Sequence, residues 1–352
     1  YSIYTVMPKL TSFSPLLNIS SKGYSYFEGP PVESLFDGVG EKILEILNSS
    51  IKSPWFFYIH LMDLHWPLIV PQKFEDEKFG KDKYDRVVSS IDYYLKKFLD
   101  VLNLEETLII ITSDHGHPIP FDEKDTTSFE PDLKLGLKVG KKFMPKFSHK
   151  FGARIFNKTR ETVKNKRLQV ANQNLSEYEI RSRLPPFIQS LFDELVKTPL
   201  LFSGYKMEPL IIKKQTRSLD IFPTVFDLLG FNHSGKIQGK SLLPLIRGDD
   251  YEENPCYMHT IPHEKLSDND QVGIRTSKYK YFRHARNPSS NIHLYDLTRD
   301  TLENKNIYQE NLEKIHEMEE IITKFSNFTD DSILDEEEEA KIREELKRLG
   351  YL

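Results

Sequence analysis

The chain has 352 residues, of which 38% are hydrophobic and 29% are charged, and its net charge at pH 7 is −5. This is the composition of a globular protein, and the mildly acidic charge gives no reason to expect a nucleic-acid partner. No run approaches the roughly 18 apolar residues that a membrane-spanning helix needs. Cys256 is the only cysteine, which excludes an internal disulfide and a thiolate metal cluster.

The first predicted elements lie between residues 36 and 67. Residues 1–33 are rich in aromatic side chains and give no clear pattern. The segment "FDGVGEKILEILNSS" carries apolar residues at helical spacing, which predicts a helix. In "PWFFYIHLMDLHWP", residues 56–61 have the pattern of a buried strand bounded by two prolines.

Residues 84–102 give the clearest helical signal. Their apolar side chains advance by alternating steps of four and three and form one stripe. The following "TLIIIT" is a continuous apolar run, typical of parallel strands that are covered on both faces. Alternating helices and strands predict a doubly wound, mostly parallel α/β sheet, in which ligands bind beyond the carboxyl ends of the strands.

Residues 117–190 interrupt this pattern and are predicted to be an insertion. Between residues 134 and 167 there are twelve lysines or arginines and one acid, Glu161. Such a basic segment with interspersed phenylalanines could attract a polyanion such as a sulfated glycan, or a membrane surface. It could equally be a solvated excursion without a partner, and the sequence leaves both interpretations open.

The pattern resumes after the insertion. "EPLIIKKQTRSLDIFPTVFDLLG" predicts a strand and then a helix that begins near Ser218 or Asp220 and ends at Gly230. "GIRTSKYKYFRH" and "NIHLYDLTRD" predict strands of a smaller antiparallel sheet, and "DEEEEAKIREELKRLGYL" predicts a terminal amphipathic helix. We therefore expect an α/β domain portion over residues 1–250 and a C-terminal subdomain over residues 251–352.

Two polar segments follow predicted strands and are candidate sites. Asp114 and His115 come directly after "LIIITS", and a carboxylate beside an imidazole can bind Ca²⁺, Mn²⁺ or Zn²⁺. Gly116 would let the chain turn away and leave the metal face open. The alternative is that Asp114 caps a helix and His115 is a surface residue.

The second segment, "HLMDLHWP", contains two histidines and an aspartate. A histidine in a cleft at a strand end can hold an anionic group or protonate a leaving oxygen, and His65 is the candidate for this role. We interpret His60 as a packed structural histidine and Asp63 as a structural acid.

These segments resemble sulfatases. "PWFFYIHLMDLHWP" resembles the family segment in which a strand ends in His and a His-x-Pro follows, and "YDRVVSSIDYYLKKFLDVLNLEETLIIITSDHG" resembles the next helix and strand. "SLDIFPTVFDLLGF", "GKSLLPLIRG" and "HLYDLTRDTLENKNI" follow in the family's order. This succession over residues 40–352 identifies the chain as a member of the sulfatase branch of the alkaline-phosphatase-like superfamily.

The resemblance implies a metal-dependent sulfuric ester hydrolase. The expected cofactor is a divalent metal ion, usually Ca²⁺, with Mn²⁺ or Zn²⁺ as alternatives. By position, Asp114 and His115 match two metal ligands, and His65 matches the histidine that contacts the sulfate or its leaving oxygen. The expected substrate is a sulfated, or phosphorylated, small molecule or glycan, whose organic part the motifs do not identify.

One part of the family pattern has no match. The family's nucleophile is a formylglycine made from Cys or Ser, and neither its motif nor the early aspartate pair occurs in residues 1–50. We therefore expect that the nucleophile-bearing N-terminal part is missing, that the chain as given is inactive, and that its localisation is open between export and the cytoplasm.

Two other functions remain open. A phosphoester or phosphonate monoester hydrolase, or a phospho-headgroup transferase, could use the same fold, since sulfate and phosphate esters share a tetrahedral anionic geometry. A non-catalytic anion-binding homologue is the alternative from another class. The identity of the nucleophile would distinguish these functions.

Overall fold

The structure is a computed structural model. It describes residues 1–7, 34–49, 51–65, 67–118, 162–163, 165–182, 190–232, 237–260 and 269–326. The predicted terminal helix lies outside the described residues, as does nearly all of the basic run between residues 134 and 167. Within the described ranges, no helix combines the length and apolar character that a membrane span requires.

The described residues belong to two compact units. Unit 1 contains those of Tyr1–Thr112 and Pro199–Glu208, and unit 2 contains those of Ser113–Thr198 and Pro209–Thr329. The division of the chain into domain portions at residue 250 stays a prediction.

The described residues of unit 1 form four strands and two α-helices. They are β1 (Ser2–Val6), α1 (Val39–Asn48), β2 (Trp55–Ile59), α2 (Lys83–Asp100), β3 (Leu108–Thr112) and β4 (Leu200–Gly204). Short 3₁₀ turns cover Leu35–Asp37, Gln72–Phe74 and Glu77–Phe79. The helices predicted before residue 50 and over residues 84–102 are confirmed as α1 and α2, and the strands predicted over residues 56–61 and in "TLIIIT" are confirmed as β2 and β3. β2 is not buried throughout as predicted, because Phe56 and Tyr58 are exposed.

The parallel part of the sheet is formed by β1 and β2. Ser2 lies opposite Trp55 and Val6 lies opposite Ile59. β1 was not predicted, because its partner strand lies about fifty positions away and a five-residue strand without flanking turn residues carries little local signal. The apolar faces of α1 and α2 pack over this pair, with Val6, Leu35, Ile43, Tyr94 and Phe98 in the core.

β3 pairs with β4, and the pairing is antiparallel. Leu108 lies opposite Gly204, and Thr112 lies opposite Leu200. This differs from the parallel pairing that the apolar run of β3 suggested, because such a run indicates cover on both faces and does not determine strand direction. Gly204 has φ +74°, and a Cβ atom there would lie 2.2 Å from the Thr107 carbonyl oxygen, so a glycine is required at this position.

Unit 2 contains a four-stranded antiparallel sheet. The strands are β5 (Cys256–His259), β6 (Gln271–Arg275), β7 (Tyr279–His284) and β8 (His293–Asp296), in that spatial order. The helices are α3 (Glu177–Ser182), α4 (Asp193–Val196), α5 (Ile221–Leu229), α6 (Leu243–Arg247) and α7 (Leu312–Ser326), with 3₁₀ turns at Ser218–Asp220 and Tyr308–Glu310. The predicted smaller antiparallel sheet is confirmed.

The sheet of unit 2 is covered by two apolar clusters. Ile274, Tyr281 and Leu294 pack with Met318 and Ile322 of α7. Phe282 belongs to a second cluster with Leu191, Met258, Tyr295 and Leu297. β7 is therefore buried along both faces, which places any charged residue within it in an apolar environment.

One predicted strand is wrong. Residues 208–212 form no strand, and Ile211 is 87% exposed. The apolar residues of this segment predicted burial, but its backbone makes no ladder hydrogen bonds that would hold alternate side chains in the core. The helix predicted after it is confirmed, since a 3₁₀ turn at Ser218–Asp220 leads into α5, which ends at Gly230 in the left-handed conformation.

Candidate functional site

Asp114 and His115 form a close acid–base pair on the surface of unit 2. The His115 Nε2 atom lies 3.6 Å from Oδ2 of Asp114, and both side chains are about half or more exposed. The backbone N–H of His115 donates to Asp114 Oδ1 at 2.8 Å, and His115 Nδ1 lies 2.7 Å from the Gly116 carbonyl oxygen. The structure therefore brings together the two side chains that the sequence predicted as metal ligands.

The contact to Gly116 determines how the imidazole ring faces Asp114. A carbonyl oxygen only accepts hydrogen bonds, so a neutral ring in this position would carry its proton on Nδ1 and would present Nε2 as the ligand nitrogen. A metal-binding histidine has this arrangement, with its second nitrogen donating to a backbone carbonyl. Metal–ligand bonds of about 2.0–2.6 Å allow one cation to bond to both Nε2 and Oδ2 at their observed separation.

The donor set fits a divalent cation but is not complete by itself. The described residues contain no group of three or more His, Cys, Asp or Glu side chains placed to hold a metal ion. Asp114 would contribute a hard anionic oxygen and His115 a neutral nitrogen, a combination that suits Mn²⁺ and Zn²⁺ and, through the carboxylate, Ca²⁺. The metal site stays a prediction, and this geometry supports it.

Gly116 fixes the backbone directly after the pair. Its N–H donates to the Leu195 carbonyl oxygen at 2.7 Å, and a Cβ atom at position 116 would lie only 2.3 Å from the carbonyl oxygen of Glu194. The glycine is therefore needed for a close approach to α4. The role predicted for this glycine was a sharp turn that leaves the metal face open, which is a different physical reason.

The second predicted segment belongs to unit 1. His65 is half-buried, and its backbone N–H donates to the Met62 carbonyl oxygen at 2.9 Å, closing a turn after β2. His60 is also half-buried, and its Nδ1 lies 3.2 Å from the Tyr58 hydroxyl. The catalytic and substrate-binding role of His65 stays a prediction.

Asp63 has a structural role in unit 1. Its side chain is 8% exposed, and its Oδ1 accepts the backbone N–H of Leu35 at 3.0 Å. Burial raises the pKa of Asp63, although the hydrogen bond from Leu35 acts in the opposite direction. The carboxylate thus fixes the turn that precedes α1, in keeping with the structural interpretation from the sequence.

A cluster of ionic side chains that includes Asp193 of α4, the helix that Gly116 contacts, was not predicted from the sequence. Lys280 in β7 is fully buried, and its Nζ lies 2.7 Å from Asp193 Oδ1 and 2.8 Å from Glu303 Oε1. The one local signal was a lysine between two tyrosines in a predicted strand. That pattern does not reveal a partner such as Asp193, which lies 87 positions away from Lys280 in the chain.

Comparisons with known proteins assign the family. A family model described as Sulfatase matches residues 19–231, and a second, described as N-sulphoglucosamine sulphohydrolase, C-terminal, matches residues 189–328. The first match covers more than half of the chain. The chain therefore belongs to the sulfatase family, which confirms the resemblance read from its motifs.

Curated relatives match a shorter part of the chain. The Delta 4,5-hexuronate-2-O-sulfatase of Bacteroides thetaiotaomicron is 27% identical over 124 residues, which are 34% of this chain and 25% of that protein. The choline-sulfatase of Rhizobium meliloti is 30% identical over 124 residues, which are 34% of this chain and 23% of that protein. The chain thus spans about a quarter of the length of these relatives.

A solved structure supports the fold assignment. The phosphonate monoester hydrolase of Agrobacterium radiobacter superposes with a TM-score of 0.58 and 13% identity, over 92% of this chain and 77% of that one. At this identity the likeness shows the fold alone. Together with the parallel pair in unit 1 and the smaller antiparallel sheet in unit 2, it confirms the predicted alkaline-phosphatase-like α/β class.

Proposed function

We propose that this chain carries part of the active site of a metal-dependent hydrolase of sulfate esters. The observation that carries the proposal is the Asp114–His115 pair, in which Nε2 and Oδ2 lie 3.6 Å apart and Nδ1 is in contact with the Gly116 carbonyl oxygen. Membership of the sulfatase family and the two named sulfatases among its relatives support the reaction class.

Different residues of this chain would carry out different parts of the proposed sulfate ester hydrolysis. When bound, a divalent cation, for which Ca²⁺ is our expectation, would neutralise the sulfate oxygens. Asp114 would bind it through an anionic oxygen, and His115 through a neutral nitrogen whose orientation the Gly116 carbonyl fixes. His65 would hold a proton for the leaving oxygen of the ester, the role of a general acid. The formylglycine nucleophile implied by the family resemblance is not among these residues.

The proposed substrate is a sulfated small molecule or glycan. The relatives' names mention a hexuronate and choline, which differ in size and charge, so their shared chemistry is the sulfate ester. Substrate-binding loops vary more than the elements that carry the reacting groups, and the organic part of the substrate therefore needs a direct screen.

The metal site is tested by binding measurements on the intact protein. We expect Mn²⁺, followed by electron paramagnetic resonance, and Ca²⁺, added as a competitor, to bind to the parent protein, and Asp114→Ala to abolish that binding. Asp100→Ala is the matched control, because Asp100 is an exposed acid in a surface pair with Lys96. Equal Mn²⁺ binding by the parent and the Asp114→Ala variant would refute the assignment.

The reaction class is tested on the intact protein. We expect His65→Ala to lower the turnover of an aryl sulfate by about 100-fold, the scale of a lost acid catalyst. Unchanged turnover would remove His65 from the mechanism. Faster hydrolysis of a phosphate or phosphonate monoester would favour the phosphoester alternative, and ligand binding without any turnover would favour the anion-binding homologue.

A further inference from the structure

We propose that Asp193, Lys280 and Glu303, an ionic cluster in which the lysine and the glutamate are fully buried, are positioning residues, which fix the short helix α4 and through it the backbone that carries Asp114 and His115. This inference rests on the proposed function, because it assigns a task to the metal-binding pair. It concerns residues of unit 2 only.

The connection between the pair and α4 is direct. Gly116, the residue after His115, donates its N–H to Leu195 in α4, and its Cα approaches Glu194 so closely that no side chain fits between them. The Gly116 carbonyl in turn contacts His115 Nδ1. A displacement of α4 would therefore move the group that orients the imidazole ring.

Helix α4 cannot fix its own position. It spans only Asp193–Val196, and isolated helices shorter than about 12 residues are marginal in water because nucleation is costly. Its placement must come from contacts with the rest of unit 2. The side chain of Asp193, the first residue of α4, supplies the strongest of these contacts.

Asp193 is bound from three directions. Arg275 donates to both carboxylate oxygens, at 2.8 and 2.7 Å, and Lys280 donates to Oδ1 at 2.7 Å. The backbone N–H of Asp193 donates to Glu303 Oε2 at 2.8 Å. Burial would raise the pKa of Asp193, but the hydrogen bonds from Arg275 and the charge of Lys280 outweigh it and hold the pKa well below its usual range.

Glu303 completes the cluster at a cost in backbone energy. Its side chain is fully buried, and Oε1 lies 2.8 Å from Lys280 Nζ in an ionic contact without hydrogen-bond geometry. Its φ of +54° is in the left-handed region, which is unfavourable for a residue other than glycine. Such a conformation persists where the surrounding contacts determine it fully.

A second contact holds the other side of the turn. The Arg181 guanidinium donates to Glu194 Oε1 at 2.9 Å and to the Glu303 carbonyl oxygen at 2.9 Å, and it lies 3.9 Å from the centre of the Phe192 ring. The backbone of α4 is thus held between Arg181 and the Lys280 cluster. The two acidic residues of α4 therefore pair with different cations, Asp193 with Lys280 and Glu194 with Arg181.

Stability alone does not account for this arrangement. Replacing a buried ion cluster with apolar side chains of similar volume is often neutral or stabilising, because desolvation offsets the attraction between the charges. The ionic contacts instead fix the position of α4, because each holds a carboxylate oxygen of this helix at a defined distance from its cation. A backbone fixed in this way is what a metal site needs from the residues behind its ligands.

The experiment compares Glu303→Gln with Glu319→Gln. Glu319 belongs to another ion pair in unit 2, with Arg283 at 2.7 Å, and has no described contact with α4. We expect Glu303→Gln to weaken Mn²⁺ binding by about tenfold, the lower end of the effect of lost supporting partners. Glu319→Gln should lower the unfolding midpoint but leave Mn²⁺ affinity unchanged.

A second readout does not depend on metal. Hydrogen exchange at the Gly116 amide, which donates to Leu195, should accelerate in Glu303→Gln and stay at the parent rate in Glu319→Gln. Unchanged exchange in Glu303→Gln, or equal acceleration in both variants, would overturn the positioning inference. If exchange accelerates as expected but the parent chain binds no Mn²⁺, the proposed function fails while the coupling between the cluster and Gly116 stands.

Gly116→Ala tests the same connection from its other end, in case Glu303→Gln does not fold. The added Cβ would meet the Glu194 carbonyl oxygen and displace the backbone without touching the buried charges. We expect Mn²⁺ affinity to fall by about tenfold or more. Parent-like affinity in this variant would show that contact with α4 does not position the pair.

Discussion

Two assemblies of acids and bases in unit 2 differ sharply in their exposure. The Asp114 and His115 side chains are 61% and 48% exposed, whereas those of Lys280 and Glu303 are both 0% exposed. An exposed pair contributes little to stability and keeps its polar atoms accessible to a ligand. A buried cluster is fixed by the cost of leaving any member unpaired. The comparison separates a region suited to binding from a region suited to positioning.

The largest expected effect follows from removing the central cation of the buried cluster. Lys280→Met leaves Glu303 without its ionic partner in an apolar environment, and we expect a loss of about 3–5 kcal/mol in the free energy of unfolding. Urea denaturation monitored by circular dichroism measures it. Lys278→Met is the control, because Lys278 is an exposed residue at the turn before β7. A loss below about 1 kcal/mol would contradict the description of the cluster as tightly coupled.

A smaller effect should follow from acidification. Burial, with a contribution from the charge of Arg181, lowers the pKa of His293 to about 4. Its stabilising contribution is therefore complete above the unfolded-state pKa of about 6.5 and is lost as the pH falls toward 4, because the unfolded chain binds the proton first. The titration of His293 should thus lower the free energy of unfolding by about 2 kcal/mol between pH 7 and pH 5.

His293→Phe provides the matched comparison for this pH dependence. The ring of His293 stacks on Phe282 with centroids 4.4 Å apart, so a phenyl ring can retain the packing while removing the titrating group. The variant should lose less stability than the parent between pH 7 and pH 5, whatever its stability at pH 7. Identical pH profiles for the two proteins would show that His293 does not titrate in this range.

The sequence predicted best what is encoded locally. The apolar stripe of α2 and the left-handed Gly230 at the end of α5 are signals that a few neighbouring residues carry, and both elements were confirmed. β1 and the buried cluster depend on partners far along the chain, such as the 110 positions between Asp193 and Glu303. Periodicity does not specify such partners, and the exposed aliphatic residues 210–212 show that it also does not guarantee burial.

The residues of the candidate site also differ in whether the local sequence could predict them. Asp114 and His115 could be predicted because they are adjacent in the chain and follow a strand, so local chemistry and the strand-end rule suffice. The positioning residues could not be predicted, since Lys280 in the sequence resembles any lysine of a surface strand. Only the packing of both faces of β7 makes it a buried charge.

The smallest expected effect concerns the exposed pair itself. In the absence of metal, Asp114→Ala should change the free energy of unfolding by less than about 0.5 kcal/mol, because an exposed acid–base pair is screened by water. In the presence of Mn²⁺ the parent should become more stable than the variant, by an amount that rises with metal concentration. Thermal unfolding at several Mn²⁺ concentrations measures both. A large loss without metal would place Asp114 among the structural acids and remove the contrast with the buried cluster.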